Sequence, residues 1–430
     1  MNTVFFAIVL ISFLVAGWHQ INWSPIDGAS PMKAMTDAMV DSAAGSVELA
    51  LGLVGVMTLF LGLMKVAEAG GILTVLSRLI RPIMVRLFPE VPPEDPAMGA
   101  MILNLSANAL GLGNAATPFG IRAMQELDRL NPEKGTATDS MVLFLAINTS
   151  SVTLLPTGVI ALRAAAGSVD PASILPTTLF ATLCSTITAI LAAKVYGHFF
   201  SRTGHGKDAD AGGPESVEAE DKGGNTAANA GSYPIWVSLA VLSALVLLIP
   251  VTVVYGRAIS PWIIPGIMVL FLGFGVVRRV RVYEAFVEGA TEGFKVAVKI
   301  IPYLVAILVA VGMFRASGAM DAVVPWLGQW TGRVGMPAEA LPMALLRPLS
   351  GSGAYGIMAS VINDPAIGPD SYVGLLVSTL QGSTETTFYV LAVYFGAVQV
   401  RRIRHALAAS LTADLAGIIF AVMACSFLLR

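Results

Sequence analysis

The seven residues from Gln381 to Thr387 combine five hydrogen-bonding side chains with a carboxylate. They lie inside an apolar segment, Tyr372 to Val398, that is long enough to cross a bilayer. An unsatisfied polar group in hydrocarbon costs several kcal/mol, so such a cluster is tolerated only where it faces protein or a water-filled cavity. Glu385 is the most informative member, because an ionisable side chain at membrane depth indicates a functional site.

A second polar cluster, Asn148 to Ser151, interrupts an earlier apolar segment, Ser140 to Leu162. One or two hydroxyl groups would indicate only hydrogen bonds between helices. Several of them with a glutamate, matched by a second cluster, favour a polar cavity. The candidate substrate-binding residues are Asn108, Asn114, Thr117, Asn148, Thr149, Ser150, Ser151, Arg347, Ser350, Ser352, Gln381, Ser383, Thr384 and Thr386.

Two further apolar stretches are interrupted by glycine and polar residues. Ala97 to Leu130 is broken at Gly111 to Pro118, and Ala338 to Ile362 is broken at Arg347 to Tyr355. Each arm is shorter than the roughly 20 residues that a spanning helix needs, so both stretches are expected to fold as re-entrant hairpins. The glycines open backbone N–H groups toward a ligand at the start of a half-helix, or serve only as the turn between two arms.

Glu385 and Asp414 are the candidate ion-coupling residues. A protonated Glu385 would couple a proton, whereas an ionised one would need Arg347, Lys299 or a bound cation as counter-charge. For Asp414, which lies in the last apolar segment, the alternative is a buried structural hydrogen bond. Arg347 would bind an anionic group in bidentate fashion or pair with one of the two carboxylates.

The composition indicates a polytopic membrane protein. Of 430 residues, 55% are hydrophobic and only 13% are charged, where a soluble domain carries about 25% charged residues. The net charge of −2 provides no basic face for nucleic acid. Cys184 and Cys425 each lie in an apolar run and are expected to be buried apolar residues rather than a disulfide. No metal motif or cofactor motif is present, so the only small ions expected are coupling H⁺ or Na⁺.

The apolar segments and linkers divide the chain into five parts. Val4 to Trp18 is interpreted as a retained first span, and Ser201 to Ser232 as a solvated, disordered linker of low complexity. The parts are residues 1–45 (first span and external segment), 46–200 (first repeat), 201–232 (linker), 233–285 (two connecting spans, Tyr233 to Tyr255 and Ser260 to Val277) and 286–430 (second repeat).

The two repeats show the same order: a span, a basic residue, an interfacial helix, a broken hairpin, a span with a polar cluster and a final span. In the first repeat the interfacial helix and the hairpin exit are arginine-rich, whereas in the second repeat the basic run Arg401 to His405 follows the broken span. Because basic loops face the cytoplasm, the repeats are predicted to be inverted. Nine spans then place the N-terminus and linker inside and the C-terminus outside a bacterial plasma (inner) membrane.

Several of these motifs resemble a known family. Gly111 to Gly120 with Asn148 to Ser150 is similar to spore maturation protein A, and Arg347 to Ala354 with Gly382 to Val390 is similar to spore maturation protein B. The chain therefore resembles a fusion of the two. That family shares the gate, or nucleoside-recognition, region with concentrative nucleoside transporters and the membrane domain of ferrous-iron transporters. The GTPase part of the iron transporters has no counterpart here, which weakens an iron-uptake interpretation.

The resemblance implies an all-α polytopic membrane protein with two inverted gate-type repeats, re-entrant helical hairpins and broken transmembrane helices around a central site. It does not imply the solute. The leading hypothesis is a secondary transporter of a small polar or anionic, nucleoside-like solute, coupled to protons or Na⁺. The alternative is a non-transporting scaffold that recruits cell-envelope machinery. An intramembrane enzyme ranks third, because no pair of nucleophile and base stands out. Whether the chain forms a homo-oligomer is left open.

Overall fold

The computed structural model describes residues 2–24, 30–111, 113–200, 233–320, 326, 329, 331–332 and 335–428. The linker and most of the predicted interfacial stretch Ala319 to Trp330 lie outside these residues. The helices are α1 (Asn2–Ile21), α2 (Pro31–Ala69), α3 (Ile72–Leu87), α4 (Pro96–Ala109), α5 (Gly113–Arg129), α6 (Asp139–Thr149), α7 (Thr157–Ala165), α8 (Leu175–Phe200), α9 (Ile235–Val277), α10 (Val282–Ala316), α11 (Leu341–Leu346), α12 (Gly351–Ile362), α13 (Tyr372–Ser383), α14 (Thr387–Ala397) and α15 (Ala406–Leu428).

Both predicted hairpins are present. In the first, α4 and α5 pack against each other and the turn falls between Ala109 and Gly113. In the second, α11 and α12 are separated by Arg347 to Ser350, and the Ser350 hydroxyl accepts a hydrogen bond from the N–H of Gly353 at the start of α12. Both interruptions are shorter than expected, because helix resumes directly at a glycine and α5 continues through Pro118.

Both predicted broken spans are also present. The first broken span, residues 139–165, consists of α6 and α7 with a non-helical stretch at 150–156. The second broken span, residues 372–397, consists of α13 and α14 with a non-helical stretch from Thr384 to Thr386. Polar side chains and Pro156 compete with the helical hydrogen bonds at these positions.

The two broken spans run in opposite directions between two loop contacts. Arg163, at the end of the first span, bonds to Asp370, just before the second span, with Nη2 and Oδ1 2.9 Å apart. Asp139, which begins the first span, bonds to Arg404, which follows the second, with Oδ1 and Nη1 2.7 Å apart. Each span therefore starts where the other ends. This is the antiparallel arrangement that inverted repeats require.

The apolar core also joins the two repeats. One cluster of buried side chains combines residues 159–162 of α7 with residues 357–362 of α12, and another combines α4 and α6 with α14 and α15. In addition, α2 and α10 pack closely at Gly289 and Gly293. A Cβ atom added at Gly289 would lie 2.5 Å from the carbonyl oxygen of Leu61, and one added at Gly293 would lie 2.7 Å from the carbonyl oxygen of Met57. Glycines four residues apart allow such close packing of membrane helices. The repeats therefore fold as one unit.

The predicted pair of connecting spans is wrong in one respect. Residues Ile235 to Val277 form a single helix of 43 residues, whereas the sequence was expected to break between Tyr255 and Ser260. Gly256 and Pro261 both disfavour a helix near that point, by about 1 and about 3 kcal/mol, yet the helix is continuous. Such a helix is about 64 Å long at 1.5 Å per residue, more than twice the thickness of the hydrocarbon layer.

Among the described residues, two unbroken helices are long and apolar enough to cross a membrane, Leu175–Phe199 and Ala406–Phe427. A third candidate is the pair Met57–Ala69 and Ile72–Leu87, which bends by 70°. The second member of this pair, α3, is the amphipathic helix that the sequence predicts for the membrane interface. Two of the shorter apolar helices, Asp139–Thr149 and Gly351–Ile362, belong to a broken span and to a hairpin.

Candidate functional site

The two broken spans cross at their interruptions. The backbone N–H of Glu385 donates a hydrogen bond to the carbonyl oxygen of Thr149, with N and O 2.8 Å apart. Thr149 is the last residue of α6, and Glu385 lies in the non-helical stretch of the second span. The two polar clusters, which are more than 200 residues apart in the sequence, are therefore in direct contact.

Each hairpin tip is bonded to the broken span of its own repeat. The N–H of Leu154 donates to the carbonyl oxygen of Ala109 over 2.8 Å, and the N–H of Phe388 donates to that of Pro348 over 3.1 Å. In the first repeat, the Asn108 side-chain amide also donates to Asn148 Oδ1 over 2.9 Å. Backbone groups freed by the broken helices thus find partners within the protein, which the membrane interior requires.

Arg347 connects the second hairpin to the second broken span. Its Nε donates to the carbonyl oxygen of Gln381 (3.2 Å) and its Nη1 to the hydroxyl of Thr386 (3.0 Å), while Nη2 donates to the carbonyl oxygen of Thr384. The same Nη2 lies 3.8 Å from Glu385 Oε2. Most of the guanidinium donors are therefore used to hold the unwound backbone, and few are left for an anionic ligand.

A central cavity of about 360 Å³ lies where the hairpin tips and broken spans meet. Six predicted site residues line it: Asn108, Arg347, Ser352, Gln381, Glu385 and Thr386. The Glu385 side chain is 49% exposed. Gln381 is 7% exposed and its side-chain oxygen has no hydrogen-bond partner among the described residues. Buried polar groups normally have a hydrogen-bond partner, so the side-chain oxygen of Gln381 is an exception to that rule.

Other predicted residues support the cavity without lining it. The hydroxyls of Thr149, Ser150, Ser151 and Ser383 donate to carbonyl oxygens three or four residues earlier in the chain. Ser350 caps α12. Thr384 contributes its carbonyl oxygen to Arg347, and Asn148 orients Asn108. Thr117 lies on α5, away from the residues that line the cavity. The side chain of Asn114 falls outside the described residues.

Some lining residues were not among the predicted binding residues. Thr153, Thr157 and Gly158 follow the polar cluster of the first broken span, and Tyr355 lies on α12. Gly158 is required for close approach, since a Cβ there would overlap the Tyr355 hydroxyl. Thr153 and Thr157 could have been identified from the sequence, because they lie on either side of Pro156, where the helix is interrupted.

Asp414 lies outside the central cavity. It is 2% exposed, and its Oδ2 accepts a hydrogen bond from the hydroxyl of Thr387 over 2.6 Å. Cys184 and Cys425 are both free thiols; Cys425 is buried, as predicted, whereas Cys184 is partly exposed.

The sequence matches the model of a family described as "Gate: Nucleoside recognition" at residues 50–166 and 297–401. Two relatives from Bacillus subtilis (strain 168) each match a little under two fifths of this chain. Spore maturation protein B is 46% identical over 166 residues, which is 39% of this chain and 90% of the relative. Spore maturation protein A is 44% identical over 165 residues, which is 38% of this chain and 84% of the relative.

Two solved transporter structures share a low overall likeness with this chain. A doubly substituted CNTnw in an outward-facing state has a TM-score of 0.41 and 13% identity, covering 98% of this chain and 91% of its own. The YdaH transporter of Alcanivorax borkumensis has a TM-score of 0.36 and 16% identity, and the match covers 99% of this chain and 98% of the YdaH chain. The match to the family model falls in both repeats and contains both hairpins and both broken spans. The chain therefore belongs to the gate, or nucleoside-recognition, family.

Proposed function

We propose that this protein is a secondary transporter that moves a small polar solute through the central cavity by alternating access. The observation that carries the proposal is the meeting of two antiparallel broken spans and two hairpin tips around one cavity with polar lining from both repeats. Transporters place their substrate sites at such interruptions, near the middle of the bilayer. A packing contact between helices would not need an unpartnered buried amide at its centre.

The charges of the cavity favour a neutral or cationic solute over an anionic one. An anionic solute would need the Arg347 guanidinium as its partner. That guanidinium already donates hydrogen bonds to Gln381, Thr384 and Thr386. Glu385 is half-exposed and its contact with Arg347 is long, at 3.8 Å. A carboxylate in that position accepts hydrogen bonds from hydroxyl or amino groups of the solute. A nucleoside carries both, which agrees with the family's description.

The remaining elements of the proposal follow the sequence. The protein would lie in a bacterial plasma membrane with its N-terminus and linker in the cytoplasm and its C-terminus outside, as the arginine-rich segments predict. Proton or Na⁺ coupling would supply the energy, with Glu385 and Asp414 as the ionisable groups at membrane depth.

A substitution at Glu385 tests the role of the cavity. We expect purified protein in liposomes to take up at least one member of a panel of radiolabelled nucleosides. Uptake by the Glu385→Gln variant is expected to be about tenfold or more slower than uptake by the unchanged protein, because a hydrogen bond to a charged group contributes roughly 1.5–3 kcal/mol. The control is Glu94→Gln, since Glu94 is 88% exposed and pairs with Arg81 at the protein surface. Unchanged uptake and ion dependence in Glu385→Gln would exclude this role.

A further inference from the structure

The buried carboxylate of Asp414 has half of its hydrogen-bonding capacity unused. Asp414 lies on α15, is 2% exposed, and accepts one hydrogen bond, from Thr387 to Oδ2. Its second oxygen, Oδ1, is buried and has no partner among the described residues. A carboxylate that is removed from water needs partners for both oxygens or a compensating charge.

Ser410 presents a second unused oxygen on the same face of the helix. It precedes Asp414 by four residues, which is about one turn of α15. Ser410 is completely buried, and its hydroxyl has no partner among the described residues. Other hydroxyls in this protein bond back to the carbonyl four residues earlier, as Thr412 does to Ala408 over 2.8 Å. Ser410 does not, although the same bond is geometrically available to a helical serine.

Among the described residues, no basic side chain forms an ion pair with Asp414, although the positive charge of Arg347 is near enough to act on it. Arg347, the nearest candidate from the sequence, forms its ion pair with Glu385 and directs its other donors to the unwound backbone. The ion pairs formed by described residues do not include Asp414. An ionised Asp414 would have one neutral hydrogen bond and the partial compensation of Arg347, so this carboxyl group needs either a proton or a bound cation.

We propose that Asp414, Ser410 and Thr387 form a binding site for one Na⁺ ion. All three offer oxygen, which hard cations prefer, and one carboxylate balances one positive charge. A proton on Oδ1 would satisfy both groups only through a direct hydrogen bond from Oδ1 to the Ser410 hydroxyl, and neither atom has a partner among the described residues. The absence of a direct bond between Oδ1 and the Ser410 hydroxyl fits a metal ion placed between them. The site is separate from the central cavity.

The position of Thr387 connects this ion to the proposed function. Thr387 begins α14, two residues after Glu385. An ion held between Thr387 and α15 therefore fixes the second broken span at the point where it lines the cavity. Only this coupling role rests on the proposed function, and Na⁺ binding itself does not depend on it.

Thermal unfolding of the purified full-length protein tests the site. The melting temperature is measured while NaCl replaces choline chloride or KCl at constant ionic strength. An ion that binds only the folded state stabilises it progressively above its dissociation constant, so we expect a rise of several degrees with Na⁺ and little with K⁺. Asp414→Asn should abolish the rise, and Ser410→Ala should shift the midpoint to at least tenfold higher Na⁺.

Thr412→Ala is the matched control, since it removes a hydroxyl from the same helix that already has a partner, and it should keep the full Na⁺ response. If Asp414→Asn does not fold, Ser410→Ala still decides the result. Equal effects of Na⁺ and K⁺, or a melting temperature that follows pH but not Na⁺, would overturn the proposal in favour of no ion or of a proton. Uptake that persists without Na⁺ would reject the coupling role of the site while leaving transport intact. Na⁺ stabilisation without uptake would keep the site and reject transport.

Discussion

Replacing Arg347 with methionine is expected to abolish uptake and to lower the melting temperature by roughly 5–10 °C. The substitution leaves the carbonyl oxygens of Gln381 and Thr384 and the hydroxyl of Thr386 without their donor. Removing one partner from a buried charged network costs about 3–5 kcal/mol. The unwound stretch of the second broken span would lose its attachment to the hairpin, and the cavity its shape. Uptake assays and calorimetry on the purified variant measure both effects.

Arg315→Met provides the comparison. Arg315 also forms an ion pair, with Asp364 at 2.8 Å, but its side chain is 50% exposed. Exposed ion pairs contribute about 0–1 kcal/mol, so the melting temperature should change little. A lysine at position 347 should recover only part of the stability, because one ammonium cannot reproduce the planar arrangement of guanidinium donors. Equal melting temperatures for Arg347→Met and Arg315→Met would contradict the role assigned to Arg347.

The second large effect is expected at Arg163, where methionine should lower stability by about 3–5 kcal/mol. Its side chain is completely buried and holds the loop before the second broken span. It donates to Asp370, to Ser168, to Ser378 and to the carbonyl oxygen of Asp170. Every one of these acceptors would lose a charged donor, and the two loops that close one end of the molecule would separate. Chemical or thermal unfolding of the purified variant reports the loss.

Two further variants define the cause at Arg163. Asp370→Asn should cost less than Arg163→Met, because Asp370 is 40% exposed and the arginine keeps its other acceptors. Arg129→Met removes an ion-paired arginine that is 56% exposed, and it should be nearly neutral. If Arg163→Met were as stable as Arg129→Met, the loop contact would not hold the repeats together.

The hairpins and broken spans could be predicted because their causes are local. Glycine, proline and short polar side chains that occur together in an apolar segment weaken the helix there. The prediction of two spans that meet between Tyr255 and Ser260 failed, because Gly256 and Pro261 do not interrupt the helix. The inverted order of the repeats was predictable from the positions of the arginines, and the antiparallel broken spans confirm it.

The roles of individual polar residues were harder to predict, because they depend on partners that are distant in the sequence. Arg163 was overlooked, since its partner Asp370 is 207 residues away. Ser410 was also overlooked, because a serine in an apolar helix usually bonds to its own backbone. Thr149 and Ser150 do make such bonds, although the sequence placed them in the binding site. The packing around a hydroxyl group determines whether it bonds to its own helix backbone or faces the cavity.

The most direct test of the central claim is the accessibility of the cavity from both sides of the membrane. Ser352 lines the cavity, and a Ser352→Cys variant, with Cys184 and Cys425 replaced by alanine, can be exposed to a membrane-impermeant thiol reagent. The rate of modification would be measured with the reagent added outside oriented vesicles and, separately, sealed inside them. Alternating access predicts that the cysteine is modified from either side. Modification from only one side, or from neither, would contradict transport through this cavity and favour a scaffold.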